Sequence, residues 1–81
     1  MKELMNHIFA LPESADFDDV GDCVADAVDW STVTDATETR DGVTVTVTVF
    51  LANNWRGELS RCVTATVTRN GSPVAGRAFE A

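Results

Sequence analysis

Valine and threonine alternate without interruption in the middle of the chain, in Val43-Thr44-Val45-Thr46-Val47-Thr48-Val49. A period of two places successive side chains on opposite faces of an extended strand, and β-branched residues favour that conformation. We therefore expect a β-strand whose valines face a core and whose threonines are exposed or half-covered. Because the valine face has to be buried, this strand also predicts a second layer of structure packed against it.

The sequence on either side of this strand predicts three further strands. Upstream, residues 31–39 are a plausible antiparallel partner, and residues 40–42 supply a turn; their poor alternation leaves the register open. Downstream, residues 59–69 and 72–81 flank Asn70-Gly71, which is typical of a two-residue hairpin turn. Counting outward from that turn pairs the following residues: Val67 with Val74, Ala65 with Gly76, Val63 with Ala78, and Arg61 with Glu80.

Two helices are predicted before the strands. Residues 2–10 carry apolar side chains at helical spacing, and Pro12 ends that helix. Ser14 or Asp16 can cap a second helix, which we expect to end at Trp30. Gly21 lies in its middle and predicts either a weak turn or close packing. The apolar face of the second helix consists of Phe17, Val20, Val24, Ala27 and Val28.

These elements predict an α+β fold in two layers, with two N-terminal helices packed on a four-stranded antiparallel sheet in the order ααββββ. The chain has 81 residues, which is the size of one domain. We expect a single domain over residues 1–81, helical in 1–30 and built from antiparallel strands in 31–81.

Composition argues against several classes of protein. No apolar run approaches the roughly 18 residues that cross a bilayer, and residues 1–7 do not read as a secretory signal. We therefore expect a cytoplasmic protein that does not contact a membrane. One histidine, His7, and two distant cysteines, Cys23 and Cys62, do not form a zinc set. We expect reduced, partly buried thiols, although a disulfide stays open until the distance between them is known.

Enzymatic and metal-binding motifs are also missing. The chain has no serine nucleophile motif, no phosphate-binding loop and no dinucleotide-binding motif. Residues 16–21 resemble the start of a calcium loop, but Val20 and Ala27 stand where that loop needs ligands. We predict a protein without catalytic residues, metal ions or cofactors.

Charge is distributed unevenly along the chain. The net charge is −7, and residues 1–38 hold ten of the thirteen carboxylates and only one base, Lys2. Such asymmetry indicates a partner that recognises charge. Solubility, or life in a salty cytoplasm, explains the same composition equally well, and both interpretations stay open.

An acidic row is predicted on the second helix, opposite its apolar face. Carboxylates three or four residues apart lie roughly 5–6 Å from one another along a helix. Such a row can occupy a basic groove that normally holds a phosphate backbone, whose charges are similarly close. The alternative is a face that is merely solvated. The row consists of Asp19, Asp22, Asp26 and Asp29, and Asp18 borders it.

A loop between the two predicted hairpins offers a second contact. Asn54, Trp55 and Arg56 lie there, and an exposed Trp beside an Arg has the composition of an interface hot spot. The alternative is that Trp55 folds back over the end of the sheet. The remaining arginines are too few, in a chain this acidic, to predict direct binding of nucleic acid.

In size, acidity and layout the whole chain resembles the small inhibitors encoded by phages and mobile elements, the anti-CRISPR proteins and antirestriction DNA mimics. The resemblance rests on no sequence motif, so no functional residue is carried over. It implies inhibition of a host complex that targets nucleic acid, by binding to its basic surface.

We therefore expect a protein-binding inhibitor that acts in the host cytoplasm as a monomer or homodimer. The alternative is a structural or assembly module whose sheet edge, in the last strand for instance, pairs with another copy or with a larger subunit.

Overall fold

The computed structural model describes all 81 residues and confirms the predicted α+β layout. The four strands form one antiparallel sheet in the order β1-β2-β3-β4. Both helices lie on one face of it, so the protein has two layers. The elements are α1 (Lys2–Phe9), α2 (Phe17–Ala27), β1 (Ala36–Arg40), β2 (Val43–Asn53), β3 (Leu59–Arg69) and β4 (Ser72–Phe79).

The alternating stretch forms the first part of β2, and its two faces differ as the pattern predicts. Val45 and Val47 are completely or almost completely buried. They are paired with Val67 and Ala65 of β3, which are buried on the same face. The threonines of β2 lie on the opposite face, which no helix covers. The sheet therefore presents one apolar face to the helices and one threonine-rich face to solvent.

Two tight turns set the register of the sheet. Asp41-Gly42 and Asn70-Gly71 have positive φ at both positions, 50° and 78° in the first turn and 52° and 78° in the second. This backbone matches the twist of a two-residue hairpin. In the second hairpin the three predicted apolar pairs are confirmed. Beyond them, the Glu80 N–H donates to the Arg61 carbonyl over 2.9 Å, which continues the predicted register.

The first strand is shorter than the sequence predicts, since β1 begins at Ala36 and not at residue 31. The Asp29 carbonyl accepts from the N–H groups of Thr32 and Val33, so the chain turns there before the strand begins. β1 consequently pairs with residues 43–47 of β2 only.

The second helix begins where predicted but ends early. Asp16 is its N-cap, whereas its last residue is Ala27 and Val28 is already extended, so the prediction that it reaches Trp30 is wrong. Phe17 was also expected in the core, yet 65% of it is exposed. The first turn of α2 approaches the sheet with its backbone, near the Phe17 carbonyl oxygen, and this leaves the ring outside.

Two glycines let α2 lie directly on β4. A Cβ atom on Gly76 would lie 2.3 Å from the Gly21 nitrogen and 2.7 Å from the Phe17 carbonyl oxygen. A Cβ atom on Gly21 would lie 3.2 Å from the Arg77 carbonyl oxygen. Of the two readings of Gly21, the structure therefore supports close packing. The contact also holds α2 against the outer strand of the sheet.

The core between the layers is entirely apolar. Leu4, Met5 and Ile8 of α1 and Val20 and Val24 of α2 pack on the valine face of the sheet. Neither helix is long and apolar enough to span a membrane.

We expect Gly76→Ala to destabilise the fold by at least about 1–3 kcal/mol, because the added methyl group would collide with backbone atoms of α2 that cannot rotate away. Urea unfolding followed by circular dichroism measures the change. Ala75→Val, at the adjacent exposed position, is the control and should change stability by less than about 0.5 kcal/mol. A Gly76→Ala protein as stable as the parent would refute the glycine contact.

Candidate partner-binding surface

The aspartates of α2 are exposed and unpaired. Asp18, Asp22 and Asp26 are spaced by four residues, so they follow one another along the solvent-facing side of the helix. The Arg40–Glu38 and Arg61–Glu80 ion pairs and the Glu3–His7 contact all lie elsewhere, and none involves an α2 aspartate. The exposed row thus contains Asp18 in place of Asp19 and Asp29, and from here on the acidic row means Asp18, Asp22 and Asp26. No basic side chain of the protein forms an ion pair with it.

Asp19 lies beside this row but has a structural task. Its carboxylate accepts from the Asp16 N–H, and the Asp16 carboxylate accepts from the Asp19 N–H, each over 3.0 Å. This reciprocal cap satisfies backbone groups that the first turn of a helix otherwise leaves free. Asp19 therefore fixes the start of α2 while keeping its charge at the surface.

Asp29 was predicted as the last member of the row, but it lies beyond the end of α2. Its carboxylate accepts from the Ser31 N–H over 3.0 Å and from the Ser31 hydroxyl over 2.6 Å. These bonds, the hydroxyl bond foremost, lower the pKa of Asp29. Asp29 remains exposed, but its carboxylate holds the turn into β1 and does not continue the row.

The loop between β2 and β3 is held in shape by Asn54. Its side-chain oxygen accepts from the N–H groups of Arg56, over 2.9 Å, and Glu58, over 3.0 Å. The Asn54 backbone also bonds to Gly57 and Glu58, and Gly57 has a φ of 76°, which suits glycine best. Asn54 is thus a positioning residue whose bonds order the loop.

The ordered loop presents Trp55 to solvent. The side chain is 85% exposed, so it does not fold back over the end of the sheet, which was the alternative. The guanidinium of Arg56 lies 4.9 Å from the centre of the Trp55 ring. Stacking of this kind leaves an amphipathic pair at the surface, with an apolar ring and a cation side by side.

One groove brings part of the predicted site together. It runs between α2 and β4, and Asp18 and Asp22 line it on the helix side while Trp55 and Phe79 line it on the sheet side. Arg77 lines it too and has no carboxylate partner. An aromatic residue and two free carboxylates therefore share one concave surface. The other residues of this groove are Phe17, Gly21, Ala25, Ala75, Gly76 and Ala78.

Asp26 borders a different, smaller cleft. That cleft lies between α1 and α2, and His7 and Cys23 also line it. Burial, and next the charge of Asp26, raise the pKa of the Cys23 thiol. Cys23 and Cys62 are both free, and Cys62 is completely buried. No group of three or more potential metal ligands is close enough together to hold a metal ion.

Most arginines of the sheet are used within the protein. Arg61 forms an ion pair with Glu80 over 2.8 Å and donates to the Trp30 carbonyl over 2.6 Å. Arg40 pairs with Glu38, and Arg69 donates to the Leu11 carbonyl over 3.0 Å. They tie the sheet to itself and to the segments that follow the two helices, so they do not assemble into a basic surface.

Sequence reasoning missed the apolar part of the groove. Phe17 was assigned to the core, and Phe79 was placed on the open face of the sheet without a role. One signal could have indicated that the Phe17 side chain is exposed. Phe17 is the first residue after the N-cap of α2, and the end of a helix has fewer neighbouring groups than its middle. Nothing in the sequence indicated that Phe79 lies near Trp55, since that depends on the loop.

No protein family, curated protein or solved structure matches this chain. The predicted partner class therefore rests on the surface itself.

We expect Asn54→Ala to loosen the β2–β3 loop. Each lost hydrogen bond contributes about 1 kcal/mol, so exchange of the Arg56 and Glu58 amide hydrogens should rise about fivefold. Hydrogen exchange followed by NMR measures this. Asn54→Asp keeps the accepting oxygen and serves as the control. Equal exchange in Asn54→Ala and the parent protein would show that Asn54 does not order the loop.

We expect Ser31→Ala to raise the pKa of Asp29 toward its ordinary value, because the hydroxyl bond that favours the ionised carboxylate is lost. A lowered pKa contributes stability above the ordinary pKa of an aspartate, and this contribution disappears as the pH falls through the lowered pKa. An NMR titration of the Asp29 carboxyl carbon measures the shift. Ser14→Ala is the control, and an unchanged Asp29 pKa in Ser31→Ala would contradict the assignment.

Proposed function

We propose that this protein is a non-catalytic inhibitor that binds a basic, nucleic-acid-binding surface of a host defence complex in the host cytoplasm. The observation that carries the proposal is the free acidic row on α2 beside the exposed Trp55. A partner that normally holds a phosphate backbone offers the cations that the acidic row lacks within its own protein.

The two parts of the surface have different roles in this proposal. The acidic row attracts the partner over distance and orients it, which chiefly accelerates association. Trp55 and the neighbouring apolar groove residues lose their exposure on contact and slow dissociation, as buried aromatic anchors do. Asn54 and Arg56 hold Trp55 in place for that contact, and Asp19 and Asp29 add charge at either end of α2.

If the acidic row attracts the partner by its charge, the affinity of the complex should depend steeply on salt concentration. Exposed charges are screened beyond about 8 Å at physiological ionic strength, so binding through the acidic row should weaken as salt rises. A complex held together by contacts in the apolar groove alone would keep its affinity as the salt concentration rises.

The experiment is a capture of proteins from a lysate of the source organism, on immobilised protein, with release by rising salt. The test variant replaces Asp18, Asp22 and Asp26 together by Asn. Asp29 is left unchanged because its carboxylate binds Ser31. The control variant carries the same charge change at Glu3, Glu13 and Asp41, which lie outside the row.

We expect the parent and the control variant to capture a nucleic-acid-binding complex that salt releases. The triple Asn variant should associate at least about tenfold more slowly, as expected for loss of electrostatic steering. Duplex DNA added to the lysate should compete with capture. Equal capture by the triple Asn variant, or capture that DNA does not reduce, would overturn the proposal.

A role in assembly is the second candidate, and one observation favours it. The end of β2 has β3 on one side and no strand on the other, so the sheet has an open edge there and not only at the last strand. A salt-insensitive homodimer with no captured partner would favour this candidate.

A further inference from the structure

The open edge lies at the end of β2. β2 continues to Asn53, whereas β1 pairs with it only as far as Val47. Residues 49–53 of β2 therefore have β3 on one side and no strand on the other. The segment reads Val-Phe-Leu-Ala-Asn and carries no charge.

The direction of the free backbone groups follows from bonds at the two ends of this segment. Residues of a central antiparallel strand point alternately to the strands on either side. The Asn54 N–H donates to the Glu58 carbonyl over 2.8 Å, so even-numbered residues point toward β3. The Val49 N–H donates to the Asp35 carboxylate over 2.7 Å, so odd-numbered residues point to the β1 side. Leu51 and Asn53 consequently direct their N–H and C=O groups to the vacant side.

The other edges of the sheet are less suited to pairing. On β4, Pro73 has no N–H, and α2 lies against the Arg77 backbone, where a Cβ atom on Gly21 would be 3.2 Å from its carbonyl oxygen. The edge of β1 carries the charged side chains of Glu38 and Arg40 within its five residues. At the end of β2, the Asp35 carboxylate covers the edge at Val49 only, and residues 50–53 are not protected by a charge, a proline or a helix.

Exposed apolar side chains surround the same edge. Leu51 is 63% exposed and Phe50 is 39% exposed, although both belong to a regular strand. Leu51 lies on the helix side of the sheet, beyond the reach of α1, and Phe50 lies on the open face. An added strand would cover part of both.

We propose that this edge pairs with the same edge of a second copy of the chain. A two-fold axis beside Ala52 sets Leu51 of one copy opposite Asn53 of the other. The N–H of each of these residues then donates to the other copy and its C=O accepts from it. All four outward backbone groups of Leu51 and Asn53 are paired in this way. The two sheets form one continuous antiparallel sheet, with all helices on one face.

Sterics and charge both favour a second copy as the occupant. In this register the turn after Asn53 stops short of β1 in the other copy, because Ala36 pairs with Val47. Residues 50–53 carry no charge, and the Asp35 carboxylate beside them already binds the Val49 N–H, so the net charge of −7 on each copy is not concentrated at the paired residues. α2 packs on β4, at the opposite side of the sheet, which leaves both acidic rows outermost and far apart.

The paired edge shares no residue with the acidic row, but it ends next to the loop of Asn54 and Trp55. Association of the chain with itself is measured without any partner, so this inference can fail while the proposed inhibitor function stands. Few residues take part, so the dimer is expected to be weak and dependent on concentration.

The test is sedimentation equilibrium of the full chain from micromolar to millimolar concentration. Leu51→Pro removes the outward N–H of Leu51 without a loss to the β2–β3 ladder, since that N–H does not point to β3. We expect it to weaken dimerisation at least about tenfold. Leu51→Lys keeps the N–H, adds a like charge beside the two-fold axis, and should weaken it similarly. Ala75→Pro on β4 is the matched control and should leave the association constant within about twofold.

Hydrogen exchange by NMR locates the contact and covers the case in which Leu51→Pro fails to fold. In the parent protein, the Leu51 and Asn53 amides should become protected as concentration rises, and those of Ala75 and Arg77 should not. A monomer at every concentration would overturn the proposal. So would a dimer that survives Leu51→Lys, or one that protects amides elsewhere.

Discussion

The close approach of α2 to β4 is the constraint on which the other features depend. Gly21 and Gly76 have no side chains. The backbone of the opposite element therefore occupies the space that a Cβ atom on either glycine would need. This contact places α2 over the outer strand of the sheet instead of its middle. It thereby covers the β4 edge and turns the acidic row outward. It also brings Asp18 and Asp22 to the same groove as Trp55.

The resulting surface combines exposed carboxylates with exposed apolar side chains, and no ion pair within the protein neutralises these carboxylates. Arg40, Arg61 and Arg69 of the sheet are paired with Glu38, Glu80 or a backbone carbonyl, and Arg77, which lines the same groove as Asp18 and Asp22, forms no ion pair with them. A row of like charges costs helix stability and adds nothing to the core. Asp19 caps α2 and Asp29 binds Ser31, so the structure explains why these two aspartates are present. Asp18, Asp22 and Asp26 have no such structural role, and binding to a partner would give a reason for them.

The fold was predictable to a large extent because its signals are local. The alternating stretch and the two-residue turns determine which side of each strand is buried, and a register follows by counting from Asn70-Gly71. The end of α2 and the start of β1 were not predictable, because the Asp29–Ser31 bonds compete with helix and strand at those residues. The groove depends on a contact between Gly21 and Gly76, which are far apart in sequence and carry no pattern.

The central claim is that the acidic row is the surface that contacts the partner. Carbodiimide labelling of carboxylates, read by mass spectrometry on the free protein and on its complex with the captured partner, tests it directly. We expect Asp18, Asp22 and Asp26 to lose labelling in the complex while Glu3 and Asp41 keep it. Equal labelling of the acidic row in both states would show that this row does not contact the partner.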